Sequence, residues 1–359
     1  MPDHSIYTET QTRILSFIHL GTAPFSVAGS AWIIYKIFFP IDDRQKKLKQ
    51  VFHRLMIGLS TFDLISSLNM IISQPWLAPK SLTDNGLVFG AIGNSTTCAA
   101  AGFFQIFLEG SAWYSAFLSL YFMLRVRFEI REETIARRWE KVFHFLAMLF
   151  PLLGGTYGAV NGYLGPAGPL PGVCWVDADS PMPKYWLFST GMSFIIIVVS
   201  MLLILTKVHK TERRTSLYGH GSQASMTRTK QTARQALMYI GAYFVCFISF
   251  VGVKIASSVT QDVTSNFVAV LVMRLISPLQ GFFNALIFRT KSASGNAVRS
   301  SATDASSSWA LSALKSSLYG NKKSSEVDST TIDVSDKTTG KGASDSVDLD
   351  ILDHLDEKD

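Results

Sequence analysis

The chain has 359 residues, of which 48% are hydrophobic and only 17% are charged, against roughly 25% charged residues in a typical soluble domain; this balance predicts a membrane protein. The net charge of +6 does not indicate nucleic acid as a partner, because the basic residues lie in short connectors between apolar runs and the last part of the chain is acidic. The three cysteines are too few for a disulfide-rich scaffold or a Cys-rich metal site.

Seven apolar runs are each long enough to cross a bilayer. We therefore predict an all-α membrane protein, a seven-transmembrane helix bundle over residues 14–290, which follows a short extracellular segment 1–13 and precedes a Ser/Thr/Asp-rich disordered cytoplasmic tail 291–359. The predicted spans, in chain order, are 14–39, 55–72, 98–127, 142–163, 185–205, 236–256 and 267–288.

The connectors show which side of the membrane each terminus occupies. Those after the first, third and fifth spans are rich in Lys and Arg, whereas the opposite side has only Arg13, Lys80 and Lys184. The positive-inside rule then predicts an extracellular N-terminus and a cytosolic C-terminus. The predicted outer side permits N-glycosylation at Asn94, in the sequence Asn-Ser-Thr.

The fourth span and the loop after it contain residues that break regular structure. We expect Pro151 to interrupt the span and the stretch GPAGPLPGVCWVDADSPMP to be an exposed loop. Cys98 opens the third span and Cys174 lies in this loop, both on the predicted oxidising side. A disulfide between them would hold the loop over the bundle, and two unrelated free thiols are the alternative.

Polar residues inside the spans are candidates for function, because a charge in hydrocarbon must face protein or water. Gln105, Glu109 and Trp113 recur at every fourth position of the third span and so share one helix face. Arg274 in the seventh span lies at about the same membrane depth as Glu109. The two side chains could both contact a ligand, or they could form an ion pair that only fixes the rotation of their helices. The predicted ligand-binding residues are Gln105, Glu109, Trp113, Trp175 and Arg274.

A second polar group is predicted at mid-depth. Asp63 in the second span would hold a sodium ion or form a hydrogen bond with Asn284 and Ser277 of the seventh span. This contact could rearrange on activation, or it could be purely structural. Pro278 and Gly281 predict a kink in the seventh span. The predicted polar core is Asp63, Ser277, Pro278, Gln280 and Asn284.

Together these features resemble a G-protein-coupled receptor: seven spans with the N-terminus outside, a cysteine that opens span three, and a second cysteine followed by Trp in GVCWV. HRLMIGLSTFDLISSL in span two and SPLQGFFNALIF in span seven are similar to the cyclic-AMP-receptor-like and secretin-like branch, of a protist type. The rhodopsin-like motifs are missing, since Leu-Arg-Val-Arg replaces the acidic-Arg-aromatic triplet and no Asn-Pro-x-x-Tyr occurs. The large extracellular domain of secretin-like receptors is also missing, which favours a small ligand.

The resemblance implies a heterotrimeric G protein as the cytosolic partner. The residues expected to face it are Arg125, Arg127, Arg137, Arg138 and Arg234, although topology alone accounts for their charge. The sequence Arg-Arg-Thr-Ser predicts phosphorylation at Ser216, and kinase or arrestin-type regulators would act on the tail.

The predicted function is therefore that of a plasma-membrane receptor which passes an extracellular small-molecule signal to a G protein, without enzymatic activity, cofactor or nucleic acid. The alternatives are a seven-helix transporter and a membrane sensor that works without G proteins. A retinal protein is disfavoured, because residues 267–288 contain no lysine for a Schiff base.

Overall fold

The computed structural model describes residues 7–39, 41–167, 170, 172–177, 180–218, 223–259 and 267–290. All of them belong to the first of two compact units, Met1–Val298. The second unit, Arg299–Asp359, lies outside the described residues, so the predicted disordered tail stays a prediction.

The described residues form helices and one short antiparallel hairpin. In chain order the elements are α1 (Glu9–Phe38), α2 (Ile41–Leu48), α3 (Val51–Ser73), α4 (Lys80–Asp84), α5 (Ser95–Ile106), α6 (Leu108–Val126), α7 (Glu132–Arg138), α8 (Glu140–Val160), β1 (Leu164–Pro166), β2 (Cys174–Val176), α9 (Met182–Tyr218), α10 (Gln223–Val259), α11 (Phe267–Ile276), a 3-10 turn (Ser277–Leu279) and α12 (280–290).

These helices make the predicted seven-helix bundle. Five of the described helices are long and apolar enough to cross a membrane: α1, α3, α8, α9 and the segment Phe267–Thr290, which comprises α11, the 3-10 turn and α12. The third crossing consists of α5 and α6, and the sixth is α10. We call the end of the bundle that carries the β-hairpin the hairpin end, and the opposite end the α7 end.

The third crossing is divided at Phe107. The N–H of Phe107 donates to the carbonyl of Phe104 at 3.2 Å, and the N–H of Gly110 donates to that of Phe107 at 3.0 Å, so the hydrogen bonds here span three residues and the helix is locally tighter. On the C-terminal side of Phe107, α6 occupies the centre of the bundle and contacts α3, α8, α9 and α10. The absence of a side chain at Gly110 allows α3 to approach α6 closely, because a Cβ at this position would collide with the ring of Phe62 in α3.

The seventh crossing breaks where the sequence predicted. α11 ends at Ile276, and Pro278 lies in the 3-10 turn before α12. Beyond the turn, α12 packs tightly against α1: a Cβ on Gly29 would lie 2.6 Å from the carbonyl oxygen of Gly281, whose N–H donates to Ser26 Oγ at 3.1 Å.

Other expectations about the elements are wrong. Pro151 lies inside α8, which continues through it, since neighbouring helices in a bundle can satisfy the freed backbone groups. The loop expected to be exposed instead forms the hairpin, with Leu164 opposite Val176, and β2 is buried. α9 and α10 extend well beyond the predicted limits at 205 and 236, because hydropathy detects only the apolar part of a helix and Lys, Arg and Gln continue it readily.

Candidate functional site

A cavity opens at the hairpin end between α1, α3, α5, α6, α9 and α11. The empty space between its walls is about 600 Å³, a volume that includes the open mouth. The described residues that line it are His19, Met70, Gln74, Gln105, Leu108, Leu170, Val173, Trp175, Trp186, Met273, Arg274, Ser277 and Pro278.

The hairpin covers part of this cavity and is held there covalently. Cys98 at the start of α5 forms a disulfide with Cys174 in β2, so the structure contains the predicted bond and not two free thiols. Gly102, one turn along α5, permits the close approach, because an added Cβ would lie 2.8 Å from the carbonyl oxygen of Trp175. The ring of Trp175 meets that of Trp186 edge to face, with centroids 5.2 Å apart, and both rings become walls of the cavity.

Three of the five predicted ligand-binding residues line the cavity: Gln105, Trp175 and Arg274. Arg274 in α11 is 5% exposed, and its guanidinium donates to the backbone carbonyl of Leu15 in α1. Since water solvates it so little, this cation must be stabilised by polar or charged groups around it, of which the Leu15 carbonyl is one.

Glu109 and Trp113 do not line the cavity, and the predicted pair of Glu109 with Arg274 is not among the ion pairs of the described residues. The Glu109 carboxyl lies instead beside Ser189 and Trp113, and the Trp113 Nε1–H donates to Ser189 Oγ at 2.9 Å. The physical reason is the tight turn at Phe107. It lies between Gln105 and Glu109, so the i, i+4 relation that would place them on one face does not hold across it.

Sequence reasoning missed several polar residues of the cavity. The Asn69 amide donates to Gln105 Oε1 at 3.0 Å and the Gln74 amide donates to the same oxygen at 3.3 Å. His19 Nε2 lies 3.1 Å from the carbonyl oxygen of Gln74. In the sequence His19 is a lone histidine within the first apolar run. The signal that could have found it is its depth, since it lies in the same part of the bundle as Gln105 and Arg274.

The predicted polar core is divided between two places. Asn284 donates to Asp63 Oδ2 at 3.0 Å, as proposed for these two residues, and Gln280 donates to Ser115 Oγ at 3.2 Å. Ser277 and Pro278, however, lie on the wall of the cavity. No cluster of three or more His, Cys, Asp or Glu suited to a metal ion occurs in the described part of the chain, and the sodium ion at Asp63 stays a prediction.

The backbone of this bundle is similar to that of a known membrane protein. It superposes on the crystal structure of squid rhodopsin with a TM-score of 0.55, over 79% of this chain and 82% of rhodopsin, at 13% sequence identity. The chain therefore has the seven-helix fold of rhodopsin. This likeness concerns the fold alone, and the missing rhodopsin-like motifs remain a difference in sequence.

Sequence comparison points to a receptor with the same fold. Over 209 residues the chain is 24% identical to the ascaroside receptor GPR2 of Arthrobotrys oligospora. This alignment includes 54% of the chain and 45% of that receptor, so the chain spans about half the length of the curated relative it matches. No family model matches the sequence.

At the α7 end of this rhodopsin-like fold, most of the predicted G-protein-facing arginines are at the surface. Arg127, Arg137, Arg138 and Arg234 are exposed. Arg125 is half-buried, and its guanidinium donates to the carbonyl of Ile130 at 3.0 Å, so it holds the turn between α6 and α7. The exposed four, and not Arg125, are therefore accessible from solvent.

Ion pairs also connect the helices at the same end. Arg54 at the start of α3 reaches both carboxyl oxygens of Glu140 in α8, with 2.6 Å from its NH2 nitrogen to Oε2, and also donates to the carbonyl of Leu48. Lys207 of α9 donates to Glu129 at 2.7 Å, and this hydrogen bond lowers the pKa of the Glu129 carboxyl. The first pair is largely enclosed, with Glu140 only 10% exposed, whereas Glu129 is 72% exposed.

The two predicted modification sites differ in what the structure describes. Asn94 is exposed and caps α5, where its side-chain oxygen accepts from the N–H of Thr97 at 2.9 Å. Ser216 falls in the last turns of α9, and its side chain lies outside the described residues. Both modifications stay predictions.

Proposed function

We propose that this chain is a G-protein-coupled receptor that passes an extracellular small-molecule signal to a heterotrimeric G protein. The observation that carries the proposal is the rhodopsin fold with a cavity of mixed polar and apolar lining at one end and exposed arginines at the other. Sequence similarity to a receptor of Arthrobotrys oligospora supports it. A ligand in the cavity would act by favouring one of two helix arrangements, which need differ only by a few kcal/mol.

The proposed orientation places the hairpin end outside the cell and the α7 end in the cytosol of a plasma-membrane protein. The disulfide and the exposed Asn94 at the hairpin end fit an oxidising compartment. Arg127, Arg137 and Arg138 at the other end fit the cytosolic side. We also propose the cyclic-AMP-receptor-like or secretin-like branch, which rests on the motifs of α3 and α12 alone, and kinase or arrestin-type regulation through Ser216 and the tail.

Guanine-nucleotide exchange on a panel of G-protein α subunits tests the proposal. Membranes would carry the unmodified chain, the double variant Arg127→Ala/Arg137→Ala, or the control Arg13→Ala, an exposed arginine of α1. We expect exchange, constitutive or stimulated by tissue extract, to fall about tenfold in the double variant and to persist in the control, because only the former removes cations from the proposed docking surface.

If no α subunit responds although the chain reaches the cell surface with its disulfide intact, the G-protein proposal is wrong. A transporter or a sensor independent of G proteins then takes its place. Equal loss of exchange in the control variant would show that the effect does not come from the α7 end.

A further inference from the structure

The cavity contains a pair of side-chain amides whose free ends indicate a class of ligand, and this step rests on the proposed receptor function. Gln74, at the end of α3, and Gln105, in α5, are 4% and 5% exposed, and both line the cavity. One hydrogen bond joins their side chains, from the Gln74 Nε2 nitrogen to Gln105 Oε1 at 3.3 Å. Each amide has a donor end and an acceptor end, so this bond uses only one end of each.

A neighbouring amide fixes which end of each glutamine is free. The Asn69 Nδ2 nitrogen donates to the backbone carbonyl of Ala101 at 3.1 Å and to Gln105 Oε1 at 3.0 Å. Since a backbone carbonyl can only accept, the group that faces it is the NH2 group of Asn69, and the Gln105 atom that this nitrogen reaches is the oxygen. By the same reasoning, the Gln74 atom beside that oxygen is the nitrogen.

The opposite ends of the pair, Gln74 Oε1 and Gln105 Nε2, form no hydrogen bond with the described residues. Neither atom is fully enclosed by the described part of the chain, and both side chains belong to the cavity wall. The wall therefore presents one acceptor and one donor within a single pair of bonded amides. When a bound molecule excludes water, leaving such groups unmatched costs free energy, so a ligand that complements both is favoured.

The amide pair is held in place from both sides. The N–H of Gln74 donates to the carbonyl of Met70 at 3.3 Å, and the carbonyl of Gln74 lies 3.1 Å from His19 Nε2. The Gln105 oxygen is held by Asn69. Polar groups that are already fixed lose little conformational entropy when a ligand binds, so this pair can discriminate between ligands by their hydrogen-bonding pattern.

The rest of the described wall is mostly apolar. Aliphatic surface gains free energy by covering the hydrocarbon part of a ligand, and flexible methionines adapt to its shape. Arg274 also lies on the wall, but its guanidinium is engaged by the Leu15 carbonyl and takes part in a further interaction, and it is not part of the amide pair. The aliphatic residues are Met70, Leu108, Leu170, Val173 and Met273.

We infer that the cavity binds an uncharged ligand with an amide group, whose N–H donates to Gln74 Oε1 and whose carbonyl accepts from Gln105 Nε2. The apolar part of the ligand would lie against the methionine and leucine side chains. An amide has its donor and its acceptor on neighbouring atoms, which matches the two free ends of the pair. A ligand without the N–H leaves the Gln74 oxygen unpaired, and a polar site of this kind rejects such an analogue.

Hexanamide and its isomer N,N-dimethylbutanamide test the inference, because they contain the same atoms but only hexanamide has N–H donors. Binding to the unmodified chain in phosphatidylcholine nanodiscs is measured by saturation-transfer NMR, with empty nanodiscs to subtract partition into lipid. We expect saturable binding of hexanamide, with an apparent Kd about tenfold below that of the isomer. Equal affinities, no saturable binding of hexanamide, or tighter binding of hexanoate, the charged analogue, would overturn the inference.

Substitutions of the two glutamines separate the donor from the acceptor. Gln74→Leu should weaken hexanamide binding about tenfold and remove the preference over the isomer, whereas Gln105→Leu should weaken both amides, because both have a carbonyl. Gln235→Leu is the matched control, since Gln235 is also buried but does not line the cavity. An unchanged preference in a folded Gln74→Leu variant would contradict the inference. If the variants do not fold, the comparison of the two isomers on the unmodified chain decides.

The binding experiment and the exchange experiment can fail independently. The nanodiscs contain no G protein, so selective binding of hexanamide without nucleotide exchange would refute the proposed coupling and leave the ligand class standing. Nucleotide exchange without selectivity between the isomers would refute the ligand class and leave the receptor function standing.

Discussion

The two ends of the bundle are closed by different kinds of bond. At the hairpin end a disulfide ties β2 to α5 and a cavity of about 600 Å³ remains beneath it. At the α7 end, Arg54, Glu140, Lys207 and Glu129 close the helices together by ion pairs. The disulfide keeps the hairpin against α5 in every conformation of the bundle, whereas ion pairs can separate and reform. The hairpin end is therefore held covalently, whereas the α7 end is held by contacts that can be broken without chemical change.

The largest effect on stability should come from removing the disulfide between Cys98 and Cys174. Cys98→Ser frees a loop of 76 residues, and the entropy gained by the unfolded chain corresponds to about 4 kcal/mol of lost stability, an upper value because the bilayer already restrains the spans. Cys246→Ala is the control, since Cys246 forms no disulfide and its loss should cost about 1 kcal/mol. Thermal unfolding in nanodiscs measures both, and equal midpoints for the two variants would contradict the structural role of the bond.

A smaller effect is expected from the enclosed ion pair. Glu140→Gln leaves Arg54, whose side chain is 28% exposed, without its counter-charge; we expect a loss of about 2 kcal/mol, less than for a fully buried pair because water reaches the arginine. Basal nucleotide exchange should rise as α3 and α8 loosen. Glu133→Gln, an exposed acid in the first turn of α7, should change neither the unfolding midpoint nor exchange. An unaltered midpoint in Glu140→Gln would show that the pair does not fasten this end.

The smallest effect concerns Glu129, which is mostly solvated. Glu129→Gln should cost at most about 0.5 kcal/mol. Because Lys207 lowers the pKa of this carboxyl in the folded state, its contribution is present at neutral pH and disappears as the pH falls through that lowered pKa. Unfolding midpoints of the two proteins should differ slightly at neutral pH and converge in acid, once the pH lies below the lowered pKa of the Glu129 carboxyl. A difference that grows in acid would have the wrong sign for this pair.

The sequence predicted the features that depend on composition and on local chemistry. The number of crossings follows from hydropathy, the break before α12 follows from Pro278, and the bond between Cys98 and Cys174 follows from two thiols on one side of the membrane. The contact of Asp63 with Asn284 was also predictable, because polar groups at similar depth in a bundle must face inward.

The sequence did not predict the features that depend on rotation and tertiary contact. One tight turn at Phe107 separates Glu109 from the helix face that lines the cavity, and no periodicity argument contains that turn. The hairpin forms from a Pro- and Gly-rich stretch because the disulfide and the close approach at Gly102 hold it against α5. Local propensity gives way to such contacts.

The ion pairs of the α7 end also change the electric field that a partner meets. Arg54, Lys207 and Lys230 each have an acidic partner, the last being Glu212 at 2.8 Å, so their charges are largely cancelled at a distance. Arg127, Arg137, Arg138 and Arg234 have no acidic partner among the ion pairs of the described residues. Within the screening length of about 8 Å in physiological salt, a partner or an anionic leaflet is therefore attracted by the exposed basic residues outside these ion pairs, and much less by Arg54, Lys207 and Lys230.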